Sequence, residues 1–600
     1  METIESIEKN CRAWATEYLG GDFSFRPHQL EHIVSTLDGV LNRKTKTQAL
    51  EAPTGSGKSL IAMITCGTLA KHYGKRSYIL VSDLGLLEQY AKDFQKYRLP
   101  WGVIKGAENY TCMKNDCPFP LGECRMARVA YPVLMNSKLA FGAGYPCADS
   151  CEYIQARKRA IDAPVTLMTY QFFLIQRNTV APTISPDQEE PFPKRDFLVA
   201  DEAHKLSEIV QSQYSPVIDS ANLEKISQLL NCAEEIGAYP SPESTNLFKL
   251  RQGTMWPPVS YFEKMMETMR STENKESLYK ALEMYVGMVH YLVDVDNALK
   301  DILQDGADPK QFRKQLFLGS WASDLCSRLS EYCALIQSVG TEYLIKNPTD
   351  TKITFNCIYE DKMVQNYFHR ECGNELLMSA TIGNPDVFKT AIGATDYKFS
   401  KIPSTFDFSR SPILFLNKYR MSYKEKDQNM SDVCRVIDQI CRDHSGLRGI
   451  IQTGSYDFTG KLMQRVSPQT RARLLNYAIS KERDEAIQRF LSRKDGILIG
   501  PTLIEGLNFP DDQCRFMVCM KIPSASLADN LVKAKMEYIP DWYSANVCSR
   551  LEQGFGRGVR HEKDWCETYV VDACFNDLLS RCPQNLSEET RSRIKTVSDL

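Results

Sequence analysis

Glu51-Ala-Pro-Thr-Gly-Ser-Gly-Lys58-Ser59 reads as a glycine-rich turn between a buried strand and the first turn of a helix. Gly55 and Gly57 let the backbone curl until successive N–H groups point at one anion. Lys58 then reaches the β/γ-phosphates, and the Ser59 hydroxyl is placed to hold Mg²⁺. A helix starting near Lys58 aims its positive dipole end at the same phosphates. The stretch is a phosphate-binding loop, with Thr54, Gly55, Ser56, Gly57, Lys58 and Ser59 as its nucleotide contacts.

A loop of this kind needs an acidic partner, and Phe197-Leu-Val-Ala-Asp201-Glu202-Ala203-His204 supplies one. Its apolar run predicts a buried strand, which places Asp201 at the carboxyl end, where ligands of open α/β sheets bind. Asp201 is the candidate Mg²⁺ ligand with Ser59. Glu202 is placed to take the proton of an attacking water, and His204 to sense the nucleotide state. Paired with Lys58, these residues predict an ATP-hydrolysing centre.

The bulk composition narrows the classes. Six hundred residues predict roughly four domains. A net charge of −2 argues against a polybasic, non-specific nucleic-acid binder, yet leaves room for a local basic channel. No apolar run reaches the ~20 residues that span a bilayer, and the acidic start Met1-Glu-Thr-Ile-Glu carries no signal-peptide pattern. An intracellular protein with no membrane partner is expected, in the cytoplasm of a prokaryotic cell or at its nucleoid. Of 20 cysteines, most lie singly in apolar segments, as Cys519 and Cys574 do, and read as small buried hydrophobes.

Before the loop, Phe25-Arg26-Pro27-His28-Gln29 precedes a helical pattern at Leu30, Ile33, Val34 and Leu37. Gln29 is a candidate adenine contact through its amide, or a capping or surface residue. Ser77-Tyr-Ile-Leu-Val-Ser82 reads as the next strand, ending in Ser82 and Asp83 where a nucleic-acid backbone can be touched.

Cys112, Cys117, Cys124, Cys147 and Cys151 then cluster in a Gly- and Pro-punctuated insertion. With almost no β-branched runs, it resembles a metal-nucleated subdomain that binds Zn²⁺ or an iron–sulfur cluster, the third reading being a chance cluster of free thiols. The spacing does not match a paired C-x₂-C ribbon. From Leu206 to Ile345 the pattern changes to long amphipathic helices, including Leu278 through Leu303 and Phe312 through Leu344. This predicts a helical domain inserted in a motor domain, with Met284, Tyr285, Met288 and Tyr291 in its packing core.

Strands resume at Thr351–Phe355 and at Glu375-Leu-Leu-Met-Ser379-Ala380-Thr381, whose hydroxyls are placed to relay between the Asp201 site and bound nucleic acid. Gly449–Gln452, Gly496–Ile499, Arg515–Cys519 and Glu567–Val571 then predict a second mostly parallel sheet. It has no phosphate loop of its own. It has Gln553-Gly-Phe-Gly556-Arg557-Gly-Val-Arg560, in which positions 553, 557 and 560 share one face of a helix. Two guanidiniums and an amide there can clamp transition-state charge from across a cleft.

The ordered set resembles helicase superfamily two, and more narrowly the XPD/DinG-type iron–sulfur DNA helicases. The phosphate loop, Asp201-Glu202-Ala203-His204, Ser379-Ala380-Thr381, Glu505-Gly506 and Gln553 through Arg560 carry the resemblance. Asn109-Tyr-Thr-Cys112 and Cys151-Glu-Tyr-Ile-Gln-Ala-Arg157 bracket the insertion as in that family.

The resemblance implies an α/β fold of two RecA-like parallel-sheet motor domains, with an iron–sulfur subdomain and a helical arch inserted in the first. The expected bounds are 1–108, 156–205 and 349–400 for motor domain 1, 109–155 for the cluster domain, 206–348 for the arch and 401–600 for motor domain 2. It implies ATP-driven 5′→3′ translocation on single-stranded DNA, unwinding of forked or tailed duplex, and a monomeric motor. Repair, replication and recombination are all compatible.

By resemblance, Glu505 and Gly506 couple nucleotide state to DNA, and Arg557 and Arg560 act as finger residues. Cys112, Cys147 and Cys151 ligate a [4Fe–4S] cluster, with Cys124 as the fourth ligand and Cys117 its alternate. The segment before Phe25 is expected to be too short for the nuclease domain some relatives carry. The alternative reading is a nucleic-acid-stimulated ATPase that remodels nucleoprotein without processive unwinding.

Overall fold

The computed structural model describes residues 2–53, 55–113, 116–119, 150–181, 190–236, 259–304, 313–404, 407–477, 482–501, 509–556, 558–559 and 563–598. The first half of the chain supplies strands β1 (Thr47–Glu51), β2 (Ser77–Val81), β3 (Gly102–Val103), β4 (Thr111–Cys112), β5 (Cys117–Pro118), β6 (Val165–Thr169) and β7 (Phe197–Asp201). Beyond them come β8 (Val217–Asp219), β9 (Leu344–Pro348), β10 (Lys352–Cys357), β11 (Asn374–Ser379) and β12 (Tyr397–Lys401).

Seven of these form one parallel sheet in the order β12-β1-β11-β7-β2-β6-β3. Parallel strands need crossovers, and the helices that make them cover both faces of the sheet. Every residue of β1 is therefore buried, including Thr47, Gln48 and Glu51. Each polar side chain has a partner: Thr47 Oγ1 lies 2.5 Å from Glu375 Oε1, Gln48 Nε2 lies 3.0 Å from Thr36 O, and Glu51 Oε2 accepts the Ile382 N–H at 2.7 Å. Burial without those bonds would cost about 1–3 kcal/mol per group.

A second parallel sheet is built from β13 (Ile413–Tyr419), β14 (Gly449–Gln452), β15 (Leu474–Asn476), β16 (Ile497–Gly500), β17 (Phe516–Cys519), β18 (Glu567–Asp572) and β19 (Ile594–Val597). Its order is β15-β16-β14-β17-β18-β13-β19. The two expected parallel-sheet motor domains are both present.

Between them lies the arch, with helices Ser220–Ile236, Val259–Ser271, Lys275–Gln304 and Arg313–Val339. Tyr285, Met288 and Tyr291 are buried there, as packing-core residues should be, whereas Met284 is 56% exposed. The last expected helix does not run to Leu344. It ends at Val339, and Leu344–Pro348 becomes β9, which pairs antiparallel with β10 beside β8 in a three-stranded sheet. The arch core is continuous with that on one face of the first motor sheet, so arch and motor domain share one apolar interior.

The buried thiols behave as small hydrophobes. Cys519 is buried, and burial pushes the half-buried Cys574 thiol up to about 12. No helix among the described residues is long and apolar enough to cross a membrane.

Candidate active site

β1 ends at Glu51, and the Ala52 N–H donates to Ser379 O at 2.8 Å, so the loop leaves the sheet beside β11. Gly55 and Gly57 have φ of +88° and +84°, a conformation that a Cβ penalises. A helix follows at once, Lys58–Tyr73, whose first N–H groups face the loop's concavity. Lys58 Nζ lies 3.3 Å from Ala52 O, and Ser56 Oγ is buried without a hydrogen-bond partner among the described residues. Thr54 lies outside the described residues.

Gln29 starts the helix Gln29–Leu41 and is fully buried. Its Nε2 lies 3.4 Å from Ser56 O and 3.3 Å from Gly57 O, while its Oε1 accepts the Arg26 N–H at 3.2 Å. The amide therefore braces the phosphate loop. The Arg26 guanidinium donates to Gly55 O from the same side.

Asp201 ends β7 at 2% exposure. Its Oδ1 accepts the Glu202 N–H at 2.9 Å, and its Oδ2 accepts the Tyr90 hydroxyl at 2.8 Å. The Tyr170 hydroxyl donates to its carbonyl at 3.0 Å. Burial and then the neighbouring Glu202 charge push the Asp201 carboxyl up to about 6, against Lys58 and the Tyr90 hydroxyl. Glu202 itself has φ of +55°, a sparsely populated conformation that costs on the order of 1–3 kcal/mol and marks functional turns.

His204 Nδ1 lies 3.3 Å from Glu202 Oε2 and 2.8 Å from Ser379 Oγ, and Ser379 Oγ accepts the Thr381 N–H at 3.2 Å. Polar contacts thus run from Glu202 through His204 and the Ser379 hydroxyl to the Thr381 backbone. Ser82 and Asp83 are already engaged with each other at 2.8 Å, and Asp83 caps the helix Leu84–Lys96.

The loop and Asp201 open on a cleft of about 550 Å³ whose far wall belongs to the second motor domain, including Gln553, Glu589 and Arg593. Gln553 lies in the last turn of the helix Trp542–Phe555, which ends at Phe555 with Gly556 as its cap. The shared helix face expected of residues 553, 557 and 560 falls in part outside the described residues. The three clustered glycines favour that early end. Arg557, Arg560, Glu505 and Gly506 lie outside the described residues.

Such a cleft can bind a nucleoside triphosphate between two domains. Asp201 and Ser59 are hard oxygen donors suited to Mg²⁺, and Glu202 puts a second carboxylate beside them. Sequence reasoning missed Tyr90, Lys401, Glu589 and Arg593, none of which sits in a motif. Arg26 had a signal, because it stands three residues before Gln29.

At the cysteine insertion, Cys112 and Cys117 face each other in the antiparallel β4/β5 pair. Cys151 caps the helix Glu152–Asp162, whose Tyr153 packs on Tyr110 at 5.3 Å and Phe119 at 4.4 Å between ring centroids. Both ends of the insertion are thereby held together. Cys124 and Cys147 lie outside the described residues, among which no group of three His, Cys, Asp or Glu side chains is arranged to hold a metal.

Two RecA-like parallel-sheet domains thus face one cleft that carries a phosphate loop and an acidic strand end. Residues 439–593 match the helicase C-terminal domain family, and residues 22–118 match the type III restriction enzyme res subunit family. The chain is 21% identical over 638 residues to the ATP-dependent DNA helicase YoaA of Escherichia coli (strain K12), covering 93% of this chain and 92% of that protein. A solved XPD helicase shares the fold with a TM-score of 0.60 at 16% identity, over 96% of this chain and 100% of that one. Xpd4 of S. tokodaii does so with a TM-score of 0.58 at 13% identity and the same coverage. Along nearly its whole length, the chain resembles the XPD/DinG-type DNA helicases that its motifs imply.

Proposed function

We propose that the protein is an ATP-dependent DNA helicase that translocates 5′→3′ on single-stranded DNA and unwinds forked or tailed duplex inside the cell. The observation that carries this reading is the shared cleft, with Lys58 and Asp201 on one wall and Gln553 on the other. Nucleotide bound there touches both domains, so hydrolysis changes their separation and their grip on the DNA alternates.

Lys58 and the loop N–H groups bind the β/γ-phosphates, Glu202 takes the proton of the attacking water, and Arg557 and Arg560 act as finger residues with Gln553. Mg²⁺, held by Ser59 and Asp201, would neutralise charge on the phosphate oxygens. The contacts among Glu202, His204, Ser379 and Thr381 link the hydrolytic centre to the end of β11, from which nucleotide state reaches the DNA path together with Glu505 and Gly506.

A [4Fe–4S] cluster would be held by Cys112, Cys147, Cys151 and Cys124, with Cys117 as alternate for Cys124. The packing of Tyr153 on Tyr110 and Phe119 supports this, because it joins the segments carrying Cys112 and Cys151. The cluster would supply the rigidity that a subdomain with little apolar core lacks, which suits a wedge where strands part. DNA grip comes chiefly from phosphate contacts, in keeping with the absence of a net basic charge.

Strand displacement with ATP and Mg²⁺, on duplexes bearing a 5′ or a 3′ single-stranded tail, tests the reading. Unwinding of the 5′-tailed duplex alone is expected. Hydrolysis stimulated by single-stranded DNA without displacement of either duplex would make the protein a translocase that remodels nucleoprotein.

A further inference from the structure

Tyr90 lies on the helix Leu84–Lys96, with Leu87 and Phe94, in the buried face beneath the nucleotide cleft. No sequence motif contains it. Its hydroxyl donates to Asp201 Oδ2 at 2.8 Å, while the Glu202 N–H occupies Oδ1 at 2.9 Å. A carboxylate oxygen offers about two lone-pair directions. One on each oxygen is therefore taken by a protein donor, which fixes the plane of the group and leaves the remaining directions for the cleft.

Ser59 stands close enough to the same phenol to act on it electrostatically. Tyr90 therefore lies beside both oxygen ligands that flank the phosphates and is hydrogen-bonded to one of them, Asp201. The first turns of the same helix reach the cleft wall at Gly85, Leu86 and Gln89.

We propose that Tyr90 is a positioning residue that holds Asp201, beside Ser59, as a preorganised ligand for the divalent cation of the bound nucleotide. This rests on the ATP-hydrolysing reading of the cleft and deepens it. Packing alone does not require the hydroxyl, since phenylalanine would fill the same space. Hydrogen-bonded partners that orient metal ligands typically change metal affinity by about 10–100-fold when removed.

The test is Tyr90→Phe in the full chain, with Mn²⁺ as the probe, read by electron paramagnetic resonance in the presence of a non-hydrolysable ATP analogue. Mn²⁺ affinity is expected to fall about tenfold or more. Binding of the analogue in EDTA should stay unchanged, and hydrolysis should return toward the original rate as Mg²⁺ is raised. Phe94→Leu on the same helix should lower the melting temperature and leave Mn²⁺ affinity alone.

Mn²⁺ affinity in Tyr90→Phe within about twofold of the unaltered protein would overturn the proposal and reduce the hydroxyl to satisfying its own burial. If Tyr90→Phe does not fold, Tyr90→Met carries the same expectation. Absence of nucleotide-dependent Mn²⁺ binding in the unaltered protein would overturn the ATP-hydrolysing reading itself, and that result is separate from any effect of position 90.

Discussion

At the nucleotide cleft the two motor domains meet through an ion triad that water reaches, and at the foot of the arch they meet through an ion pair that water does not. In the cleft, Lys401 Nζ lies 3.0 Å from Glu51 Oε1 of the first domain and 3.1 Å from Glu589 Oε2 of the second. The lysine side chain is 34% exposed and that of Glu589 29%. Beyond the second sheet's β17, the helix Asn530–Tyr538 crosses to the first domain, and there Lys535 Nζ lies 2.7 Å from Glu360 Oε2 and 2.8 Å from Gln211 Oε1.

Those Lys535 and Glu360 side chains are only 7% and 2% exposed. Leu531, Ala534 and Tyr538 pack against the apolar interior shared by the first domain and the arch. By packing, a helix from the second domain's sequence belongs to the first domain's core. Water-screened pairs are worth about 0–1 kcal/mol and are made and broken readily. A desolvated pair that loses one partner leaves an uncompensated charge. The difference teaches where the molecule can part: opening of the cleft is expected to pivot about the Asn530–Tyr538 dock.

The strongest way to break this comparison is Lys535→Ala, which strands Glu360 in the interior. It should destabilise the protein by about 3–5 kcal/mol, seen as a lower denaturant midpoint. Lys535→Met combined with Glu360→Gln should recover much of that loss. A cost for Lys535→Ala below about 1 kcal/mol would mean that the dock is hydrated and no pivot.

Lys401→Gln should cost no more than about 1 kcal/mol of global stability and should instead increase the mean separation of dyes placed on the two motor domains. An unchanged separation would remove the triad from the closing motion.

The smallest effect is one of pH. Burial pushes the Glu589 carboxyl up, but its own backbone N–H and Lys401 outweigh burial and hold it below the usual range. Its contribution is thus present above the ordinary carboxylate pKa, roughly 4.3, and lost as pH falls through the depressed folded value. Burial lowers Lys401, while Glu51 and Glu589 raise it further than that. Its contribution is present below the ordinary lysine value, roughly 10.4, and lost as pH rises through the elevated folded value. Dye separation should therefore stay flat from about pH 5 to about pH 10 and grow outside that window.

Much of the site was legible because its signals are local. Two glycines at positive φ, a lysine and a serine in consecutive positions describe one turn and its anion whatever the rest of the chain does. Asp201 was legible because four apolar residues before it announce a buried strand whose end faces the ligand edge. The arch helix Lys275–Gln304 was equally legible, since apolar periodicity over so many turns admits few other structures.

Where a segment was short or its partner distant, local pattern failed. Leu344 and Ile345 extend the helical periodicity of the segment before them, and only pairing with β10 makes them strand. Gly556 ends a helix that side-chain spacing alone would continue. Gln29 reads from the sequence as a base contact, a cap or a surface residue, and only the folded neighbours show that it is buried with its amide on the loop.

The sequence by itself determined the phosphate loop, the acidic strand end and the two parallel sheets. Each of these is written in backbone conformation or burial along consecutive residues. Only the tertiary structure decided that Tyr90 lies under Asp201, that Lys401 stands between Glu51 and Glu589, and that Lys535 is buried against Glu360. Those contacts join residues from different elements, and a hydrogen bond or an ion pair forms wherever folding brings a donor near an acceptor, without leaving a periodic trace in the chain.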